Sequence, residues 1–383
     1  MRLPAAAVAC LLAAAAVSAE NRPRARDLGI PFEGTPGPNN AITDVRGVEV
    51  GVSTIVSGEG ALERGKGPVR TGVTVIFPRG KDSNDPVFAA WFSQNGNGEM
   101  TGTTWIDEGG FMEGPVFITN THSVGVVRDA AVEWSVRQGR MFQPWSLPVV
   151  AETWDGVLND INGFHVKPEH VFAAIESAAG GRVPEGNVGG GTGMICYEFK
   201  CGTGTASRRL PPQAGGYTVG VLVQANHGRR GELRIAGAPV GQDLPVPAAP
   251  SGGGLPPLAE EQGSIIIVVA TDAPLLPHQL ERIARRATMG LARTGATSGN
   301  GSGDIFLAFS TENPGVAAAR REVHVNMLPN SRISALFGAT VEATEEAIIN
   351  ALIAAETMTG RDGNRAEAIP HDRVRELMKK YGR

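Results

Sequence analysis

The amino-acid sequence predicts a layered α/β protein, in which helices cover the outer faces of β-sheets. Two observations indicate this class. Short runs typical of strands dominate the first two thirds of the 383-residue chain, and several are apolar on both faces, as in strands buried between layers. The last third alternates strand-like runs with helical stretches. A chain of this length can bury a sizeable core, as one large domain or two.

Several strands and two helices are predicted before residue 238. The strands are predicted at residues 72–77, 87–92, 116–119, 149–153, 194–199 and 217–225. The helices are predicted at residues 123–138, with Ser123 as N-cap, and 167–179, with Pro168 in the first turn. Glycine contributes 51 of 383 residues, nearly double the usual share of about 7%, so we expect many tight turns and close backbone approaches.

Residues 238–262 form a Pro/Gly-rich connector without periodicity. It is either a linker between two domains or an exposed loop that presents a processing site at its end. The strongest strand signal in the chain follows, the β-branched run at 264–270. The remaining elements are predicted as a helix at 277–293, a Gly-rich turn at 295–303, strands at 304–309 and 323–327, and helices at 341–358 and 372–381.

The N-terminus has the pattern of a secretory signal peptide. Met1-Arg2 is positively charged, residues 3–17 are almost wholly apolar, and Val17-Ser18-Ala19 offers small residues before a cleavage site. We expect removal of residues 1–19 and a periplasmic or fully secreted protein. The apolar run is too short for a membrane anchor, and the mature chain is expected to be soluble, with no membrane partner. The formal charge of −4 gives no support to nucleic-acid binding.

Cys196 and Cys201 are the two cysteines that would remain in the mature chain. In an oxidising compartment they could form a disulfide. The sequence favours the alternative, in which the two thiols are unpaired and lie on or beside a strand.

Common functional motifs are absent or incomplete. The chain has no His-Glu-x-x-His, and its seven histidines are scattered, so no metal site is expected. Residues 299–304 resemble a serine-nucleophile turn, but Asn300 occupies the first glycine position of G-x-S-x-G. Residues 189–193 are glycine-rich but precede a strand, unlike a dinucleotide-binding loop.

Ser264 is the candidate nucleophile. If the bond before it breaks, its hydroxyl is joined by a free α-amine with a pKa of roughly 7.7–8.0, which can act as general base. Nucleophile and base then share one residue, so no His-Asp partnership is needed. Gly263 suits the cleavage site because a residue without Cβ tolerates the strained turn that lets Ser264 Oγ attack the preceding carbonyl. A Gly-Ser pair before a strand is common, however, and is no signal by itself.

Several blocks in order resemble the DmpA/β-aminopeptidase family. Residues 263–275, GSIIIVVATDAPL, are similar to its nucleophile segment, and SGDIF at 302–306 with AFST at 308–311 is similar to its second hallmark. Further similar blocks are NGNGEMTGT at 95–103, VAETWDG at 150–156 and ANHG at 225–228. The resemblance runs from about Gly29 to the C-terminal helices and includes nearly all of the mature chain.

The resemblance implies a four-layer α/β/β/α sandwich like that of the N-terminal-nucleophile hydrolases. It implies a precursor cut into a larger chain, residues 20–263, and a smaller chain, residues 264–383, which together form one catalytic domain. It also implies a homo-oligomer, commonly a tetramer, and no metal or organic cofactor.

The resemblance also assigns roles to individual residues. Ser264 is the nucleophile, and Ser302 and Asp304 match the serine and acid that orient it and steady its amine. Some family members have Glu at the acid position, and the side chain of Asp304 is shorter than that of Glu by one methylene group. Asn226 matches the asparagine that stabilises the oxyanion, a contribution of roughly 3 kcal/mol in comparable enzymes. Without the resemblance, Ser302, Asp304 and Asn226 are typical turn residues.

Glu152 matches the acid that receives the free amine of the substrate. An enzyme that removes one N-terminal residue must recognise a terminal ammonium, and a sheltered carboxylate does so. Trp154 stands where β-aminopeptidases tend to have Trp, which favours N-terminal β-amino acids. The alternatives without a functional role are a surface carboxylate at a strand end for Glu152 and a tryptophan that only packs for Trp154.

The expected function is therefore that of a self-cleaving serine aminopeptidase acting on peptides and amides with a free N-terminal amine, with a preference for β-amino acids. One alternative is an L-aminopeptidase with D-alanyl esterase or amidase activity. Others are an ornithine-type acyltransferase, which usually cleaves before Thr, and a non-catalytic periplasmic binding protein, which has no need to break the Gly263–Ser264 bond.

Overall fold

Two β-sheets stack face to face, and a pair of helices covers the outer face of each. A computed structural model describes residues 22–139, 141–245 and 263–383. The signal peptide predicted at 1–19, and residues 246–262 of the predicted connector, lie outside this part of the chain. The arrangement is the α/β/β/α sandwich expected from the family resemblance.

The strands are β1 (Glu49–Ser57), β2 (Val69–Phe77), β3 (Val87–Ser93), β4 (Phe111–Met112), β5 (Val116–Asn120), β6 (Val149–Thr153), β7 (Ile195–Cys196), β8 (Phe199–Lys200), β9 (Thr203–Arg209), β10 (Thr218–Asn226), β11 (Ser264–Thr271), β12 (Gly303–Ser310), β13 (Met358–Thr359) and β14 (Arg365–Ala366). The α-helices are α1 (Thr103–Gly109), α2 (Val124–Gln138), α3 (Pro168–Glu176), α4 (Pro277–Arg293), α5 (Ser334–Ile353) and α6 (His371–Lys380).

The smaller sheet has the strand order β1-β2-β5-β6, and the larger has the order β4-β3-β12-β11-β10-β9. Helices α2 and α3 lie on the smaller sheet, and α4 and α5 lie on the larger. In the larger sheet, β11 is parallel to β12 and antiparallel to β10. The strands after residue 263 therefore lie between strands from before it, so the two predicted chains share one sheet.

Three apolar clusters fill the spaces between layers, as expected for strands that are buried on both faces. Ile118 and Val149 of the smaller sheet meet Val268 and Leu307 of the larger in the central cluster. The outer clusters pack α2 and α3 against one sheet and α4 and α5 against the other. Helix α5 is buried almost all round, and its polar Asn350 donates from Nδ2 to the Thr205 carbonyl oxygen.

Several predicted elements need correction. Residues 323–327 form no strand; they are exposed and part of a loop, because no neighbouring strand pairs with them in the described chain. The strand predicted at 194–199 is the hairpin β7–β8, since the chain reverses at Tyr197 and Glu198. The helix predicted at 341–358 is α5, which begins at Ser334 and ends at Ile353. Strands β1 and β9 and helix α1 were not predicted from the sequence.

Two further expectations change in the structure. Cys196 and Cys201 form a disulfide, contrary to the favoured interpretation of unpaired thiols, because the β7–β8 hairpin brings their Cα atoms to 5.3 Å. The start of the predicted connector is ordered as a 3-10 helix at Val240–Gln242, in which Val240 is fully buried.

Candidate active site

Ser264 is the first residue of β11, in the middle of the larger sheet. Its register partners are Asn226 on the antiparallel β10 and Gly303 on the parallel β12. The Ser264 hydroxyl oxygen accepts a hydrogen bond from the Gly303 N–H at 3.2 Å. The β-branched run that follows is buried throughout, which anchors the serine on a rigid strand rather than on a loop.

Ser302 and Asp304 flank Gly303 and are both buried. Ser302 Oγ donates to Asp304 Oδ1 at 2.5 Å, a short distance typical of a hydrogen bond to a charged oxygen. The segment at 95–97 packs on the same turn, with the Asn97 N–H donating to the Ser302 carbonyl oxygen at 3.3 Å. The structure thus brings the two predicted helper residues beside the strand partner of Ser264.

Asn226 is buried at the end of β10, and both ends of its side-chain amide are fixed. Its Oδ1 accepts from the Ile195 N–H at 2.8 Å, and its Nδ2 donates to the Trp154 carbonyl oxygen at 2.9 Å. An amide nitrogen carries two N–H groups, and the bond to Trp154 uses one of them. Asn226 is also the register partner of Ser264, so a side-chain amide donor lies on the strand beside the serine.

Glu152 lies near the end of β6, in the smaller sheet, with its side chain buried. Its carboxylate accepts from the Glu99 backbone N–H at 3.0 Å and from the Thr121 hydroxyl. Burial raises the pKa of Glu152, and these two hydrogen bonds and the nearby His122 oppose the rise. A buried carboxylate with no cation among these contacts is suited to receive one from a ligand.

Gly98 lies between the carboxylate and the nucleophile's strand partner. A Cβ added at Gly98 would lie 3.2 Å from Gly303 Cα and 3.3 Å from Glu152 Oε1. Gly303 is equally constrained, because its own Cβ would lie 2.4 Å from the Asn97 carbonyl oxygen. Glu152 Oε1 and the start of β12 therefore lie close together beside residue 98, where a side chain would crowd both of them.

Trp154 follows β6 and is half-buried. A Cβ at Gly156 would lie 2.5 Å from its indole ring, so the ring lies against the backbone of the following turn. The Trp154 carbonyl oxygen accepts a hydrogen bond from Asn226 Nδ2, so Trp154 connects the end of β6, which contains Glu152, to Asn226.

Gly263 is needed for a reason other than a strained φ. A Cβ there would lie 2.3 Å from the Asn226 carbonyl oxygen and 2.5 Å from His227 Cα. The chain therefore passes so close to β10 before Ser264 that only glycine fits without a shift of the backbone.

Thr121, Gly98, Gly303 and Ile195 contribute to this site and were missed by the sequence argument. They act through backbone atoms or as partners of other side chains. Gly98 and Gly303 lie in blocks that resemble the family, whereas nothing in the sequence pointed to Thr121 or Ile195. Within the described ranges, no group of three or more His, Cys, Asp or Glu side chains is arranged to hold a metal ion. None of the helices described in the structure is long and apolar enough to cross a membrane.

Comparison with known proteins gives full-length matches. Residues 40–366 match peptidase family S58. The chain is 56% identical over 386 aligned residues to the β-peptidyl aminopeptidase BapA of Sphingosinicella microcystinivorans, with 99% of this chain and 97% of that protein covered.

Solved structures agree with the fold. The β-aminopeptidase of a Burkholderia species superposes with a TM-score of 0.86 at 49% identity, over 94% of this chain and 99% of that one. The L-aminopeptidase D-Ala-esterase/amidase of Ochrobactrum anthropi, described as a new variant of the Ntn hydrolase fold, gives 0.85 at 49% identity over 94% and 99% of the two chains.

Proposed function

Because this chain belongs to peptidase family S58, we propose that it is a β-peptidyl aminopeptidase that forms an acyl-enzyme on Ser264. One observation carries the proposal: a Cβ at Gly98 would lie 3.3 Å from Oε1 of the buried Glu152 and 3.2 Å from Cα of Gly303, the residue whose N–H donates to the Ser264 hydroxyl oxygen. An ammonium group on Glu152 therefore puts the first amide bond of a substrate near the serine. We expect one residue to be removed at a time.

Maturation begins with the same serine. Ser264 Oγ attacks the Gly263 carbonyl carbon, the Gly263–Ser264 C–N bond breaks, and the nitrogen takes up a proton as the free α-amine. Water then hydrolyses the resulting ester and leaves a carboxylate on Gly263. The products are the chains 20–263 and 264–383, and the amide nitrogen, which could not accept a proton before, becomes a base.

In catalysis the freed amine accepts the proton from Ser264 Oγ as the oxygen attacks the substrate carbonyl. The Asn226 N–H that is not bonded to Trp154 stabilises the negative oxygen of the tetrahedral intermediate. Collapse breaks the C–N bond, and the leaving amine takes the proton from the α-amine. Water attacks the ester by the same route and regenerates the hydroxyl.

The Ser302–Asp304 pair supports the base. Because the Ser302 proton points to the Asp304 carboxylate, the lone pairs of Ser302 Oγ are free to accept from the α-amine of Ser264. The carboxylate stabilises the ammonium that forms when the amine takes up the proton.

The preference for β-amino acids is supported by the name of the Sphingosinicella relative, by the Burkholderia neighbour and by Trp154. The Ochrobactrum neighbour, at 49% identity, supports the alternative of an L-aminopeptidase with D-alanyl esterase or amidase activity. An ornithine-type acyltransferase would pass the acyl group to an amine instead of water, and a binding protein would not need the cleavage at all.

We also propose secretion and assembly. The pattern of residues 1–19 supports export to the periplasm or the medium, and the family resemblance supports a homo-oligomer, commonly a tetramer. N-terminal sequencing of the exported protein, with residue 20 as the expected start, tests the first. Light scattering of the purified protein tests the second.

The deciding experiment is an intact-mass spectrum under denaturing conditions, beside Ser264→Ala. We expect two fragments, one beginning with Ser264, and a single uncut chain for the variant. An uncut wild-type chain with hydrolase activity would overturn the N-terminal-nucleophile mechanism and turn attention to Ser302. An uncut, inactive wild-type chain would favour the binding protein.

Substrate class is tested on the processed enzyme with β-alanyl and L-alanyl amides of the same leaving group. A higher kcat/KM for the β-alanyl amide supports the β-peptidyl assignment, and the reverse order supports the L-aminopeptidase. Faster product formation on addition of an amine acceptor, with a new acylated amine, would support the acyltransferase.

A further inference from the structure

The β7–β8 hairpin has an unusual turn. Tyr197 and Glu198 both have positive φ, 51° and 64°, although neither is glycine or asparagine. Two-residue hairpin turns of this kind normally contain Asn-Gly, because side chains with a Cβ clash with the backbone in the left-handed region. A turn with this cost persists only where its surroundings enforce it, and such turns cluster at functional sites.

The strain is offset by a set of cross-links at the base of the hairpin. The Cys196–Cys201 disulfide joins its two arms. The Cys201 N–H donates to the Met194 carbonyl oxygen at 3.1 Å, and the buried Lys200 Nζ donates to the carbonyl oxygens of Met194 and Cys201 at 2.6 and 2.5 Å. The arms are therefore closed by a covalent bond and by hydrogen bonds.

The hairpin places the N–H group of Ile195 beside Asn226 in the active site. Ile195 pairs with Lys200 in the register that leaves its N–H pointing out of the hairpin, where it donates to Asn226 Oδ1 at 2.8 Å. A second bond, from the Tyr197 N–H to the His227 carbonyl oxygen at 2.8 Å, joins the turn to the residue after Asn226. The amide of Asn226 cannot rotate while both its Oδ1 and its Nδ2 remain bonded.

We propose that the disulfide-closed hairpin is a positioning element for the oxyanion donor. By holding the Ile195 N–H in place, the Cys196–Cys201 disulfide keeps the free N–H of Asn226 aimed at the developing oxyanion. The inference rests on the role of Asn226 in the proposed function. The hairpin makes none of the hydrogen bonds that hold Glu152, so its loss should slow the chemical step and leave binding of the substrate amine intact.

The test uses the processed enzyme with Cys196→Ala/Cys201→Ala, with rates expressed per cleaved chain as counted by intact mass. We expect kcat to fall about tenfold, part of the 100- to 1,000-fold typical of losing an oxyanion donor, with KM within about twofold. In an Asn226→Ala background, the same cysteine change should lower kcat no further, because the positioned group is gone.

Two other variants keep the test decisive if the cysteine variant folds poorly. Ile195→Pro retains the disulfide and removes only the N–H that reaches Asn226, and Met194 already has the extended conformation, φ −82° and ψ 148°, that a residue before proline requires. It should lower kcat to a similar degree. Glu198→Gly, at an exposed position, relieves strain in the turn and should restore part of the kcat lost in the cysteine variant.

A wild-type kcat in both the cysteine and the Ile195→Pro variants would overturn the inference while leaving the proposed function intact. An equal fall of kcat with and without Asn226 would also overturn it, since the disulfide would then act on stability alone. A wild-type kcat for Asn226→Ala itself would instead refute the oxyanion assignment on which the inference rests.

Discussion

Asn226 and Ser264 are direct partners across the antiparallel pair β10–β11. The proposed oxyanion donor and the proposed nucleophile are therefore held at a fixed register by the ladder of backbone hydrogen bonds between two central, fully buried strands. Relative movement of the two residues would require a slip of the strands, which would turn every buried side chain of one strand to the wrong face. Under the proposed function, the positions of the two residues are thus set before substrate binds.

The first prediction concerns the oxyanion donor. Replacing Asn226 with Ala removes the N–H that faces Ser264, and kcat of the processed enzyme should fall about 100- to 1,000-fold with little change in KM. Steady-state kinetics on a β-alanyl amide measure both constants. Asn226→Asp is the matched variant: it keeps the shape but puts an acceptor where a donor is needed, and should be at least as slow. A full rate in either variant would contradict the assignment.

The second prediction concerns recognition of the substrate amine. Glu152→Gln keeps the shape of the side chain but removes the charge that pairs with an ammonium in a buried site. Because loss of one partner of a buried pair costs about 2 kcal/mol or more, KM for free-amine substrates should rise at least tenfold. The variant should also lose discrimination against N-acetylated substrates. Retention of that discrimination would show that another group binds the amine.

The third prediction is the pH dependence of the same group. Burial raises the pKa of Glu152 above its ordinary value of 4.5. A carboxyl with a raised pKa becomes protonated, and loses its charge, while the pH is still above the ordinary range. As pH falls, KM should begin to rise above pH 4.5, and Glu152→Gln should abolish that rise. A rise that survives in the variant would assign it to a different group.

The fourth prediction concerns the space at Gly98. A valine there would crowd Glu152 and the Gly303 backbone, so kcat/KM should fall at least tenfold. Gly96→Ala is the control, because a Cβ at that exposed glycine meets no heavy atom nearer than 3.9 Å. Kinetics and thermal melting of the two variants distinguish a blocked site from a general effect of changing the loop.

The fifth prediction concerns the buried ion pair that joins β9 to α5. Arg208 donates to Glu346 at 2.7 Å, and both side chains are almost fully buried. Arg208→Met leaves Glu346 with the partly exposed Arg26 as its ion-pair partner and with a hydrogen bond from Asn40, and should lower the free energy of unfolding by about 3 kcal/mol. Arg137→Met, at an exposed pair with Glu133, should change it by less than about 1 kcal/mol. Denaturant unfolding in a Ser264→Ala background keeps the chain in one piece.

The acid dependence of that pair has a definite sign. Although burial opposes it, the hydrogen bond from Arg26 and the positive charges of Arg208 and Arg26 lower the pKa of Glu346 below 4.5. Stability from a carboxyl with a lowered pKa is present above its unfolded pKa and is lost as pH falls through the folded one. Arg208→Met should flatten the fall in stability below pH 4.5, and an unchanged slope would contradict this.

The sequence predicts the elements whose signals are local. The run after Ser264 is β-branched throughout, and α4 begins with a proline and has regular apolar spacing, so both lie where they were expected. Strand β9 was missed because its polar residues are buried by distant partners: Arg208 pairs with α5, and Thr205 Oγ1 accepts from the Ile42 N–H. Residues 323–327 have a strand pattern, but no strand in the described part of the chain lies beside them to complete a sheet.

The same distinction between local and long-range signals applies to the site. The family resemblance named Ser264, Ser302, Asp304, Asn226 and Glu152, which the fold brings to neighbouring strand ends. It gave no sign of the hairpin behind Asn226 or of the gap at Gly98, because both depend on backbone atoms of segments far apart in the chain. A disulfide between Cys196 and Cys201 was the less favoured interpretation for a local reason: residues 194–199 were predicted as one strand, and the turn at Tyr197 and Glu198 lacks the usual turn residues.

Glu152 belongs to one sheet and Ser264 to the other, so under the proposed function the first residue of the substrate bridges groups held by two stacked sheets. The spacing of these sheets is fixed by the side chains of the central core and is difficult to adjust. Under the proposed function, that spacing sets the number of backbone atoms between the amine and the scissile carbonyl. Loop changes would then alter which side chains are accepted, whereas a different backbone length would require repacking of the core between the sheets.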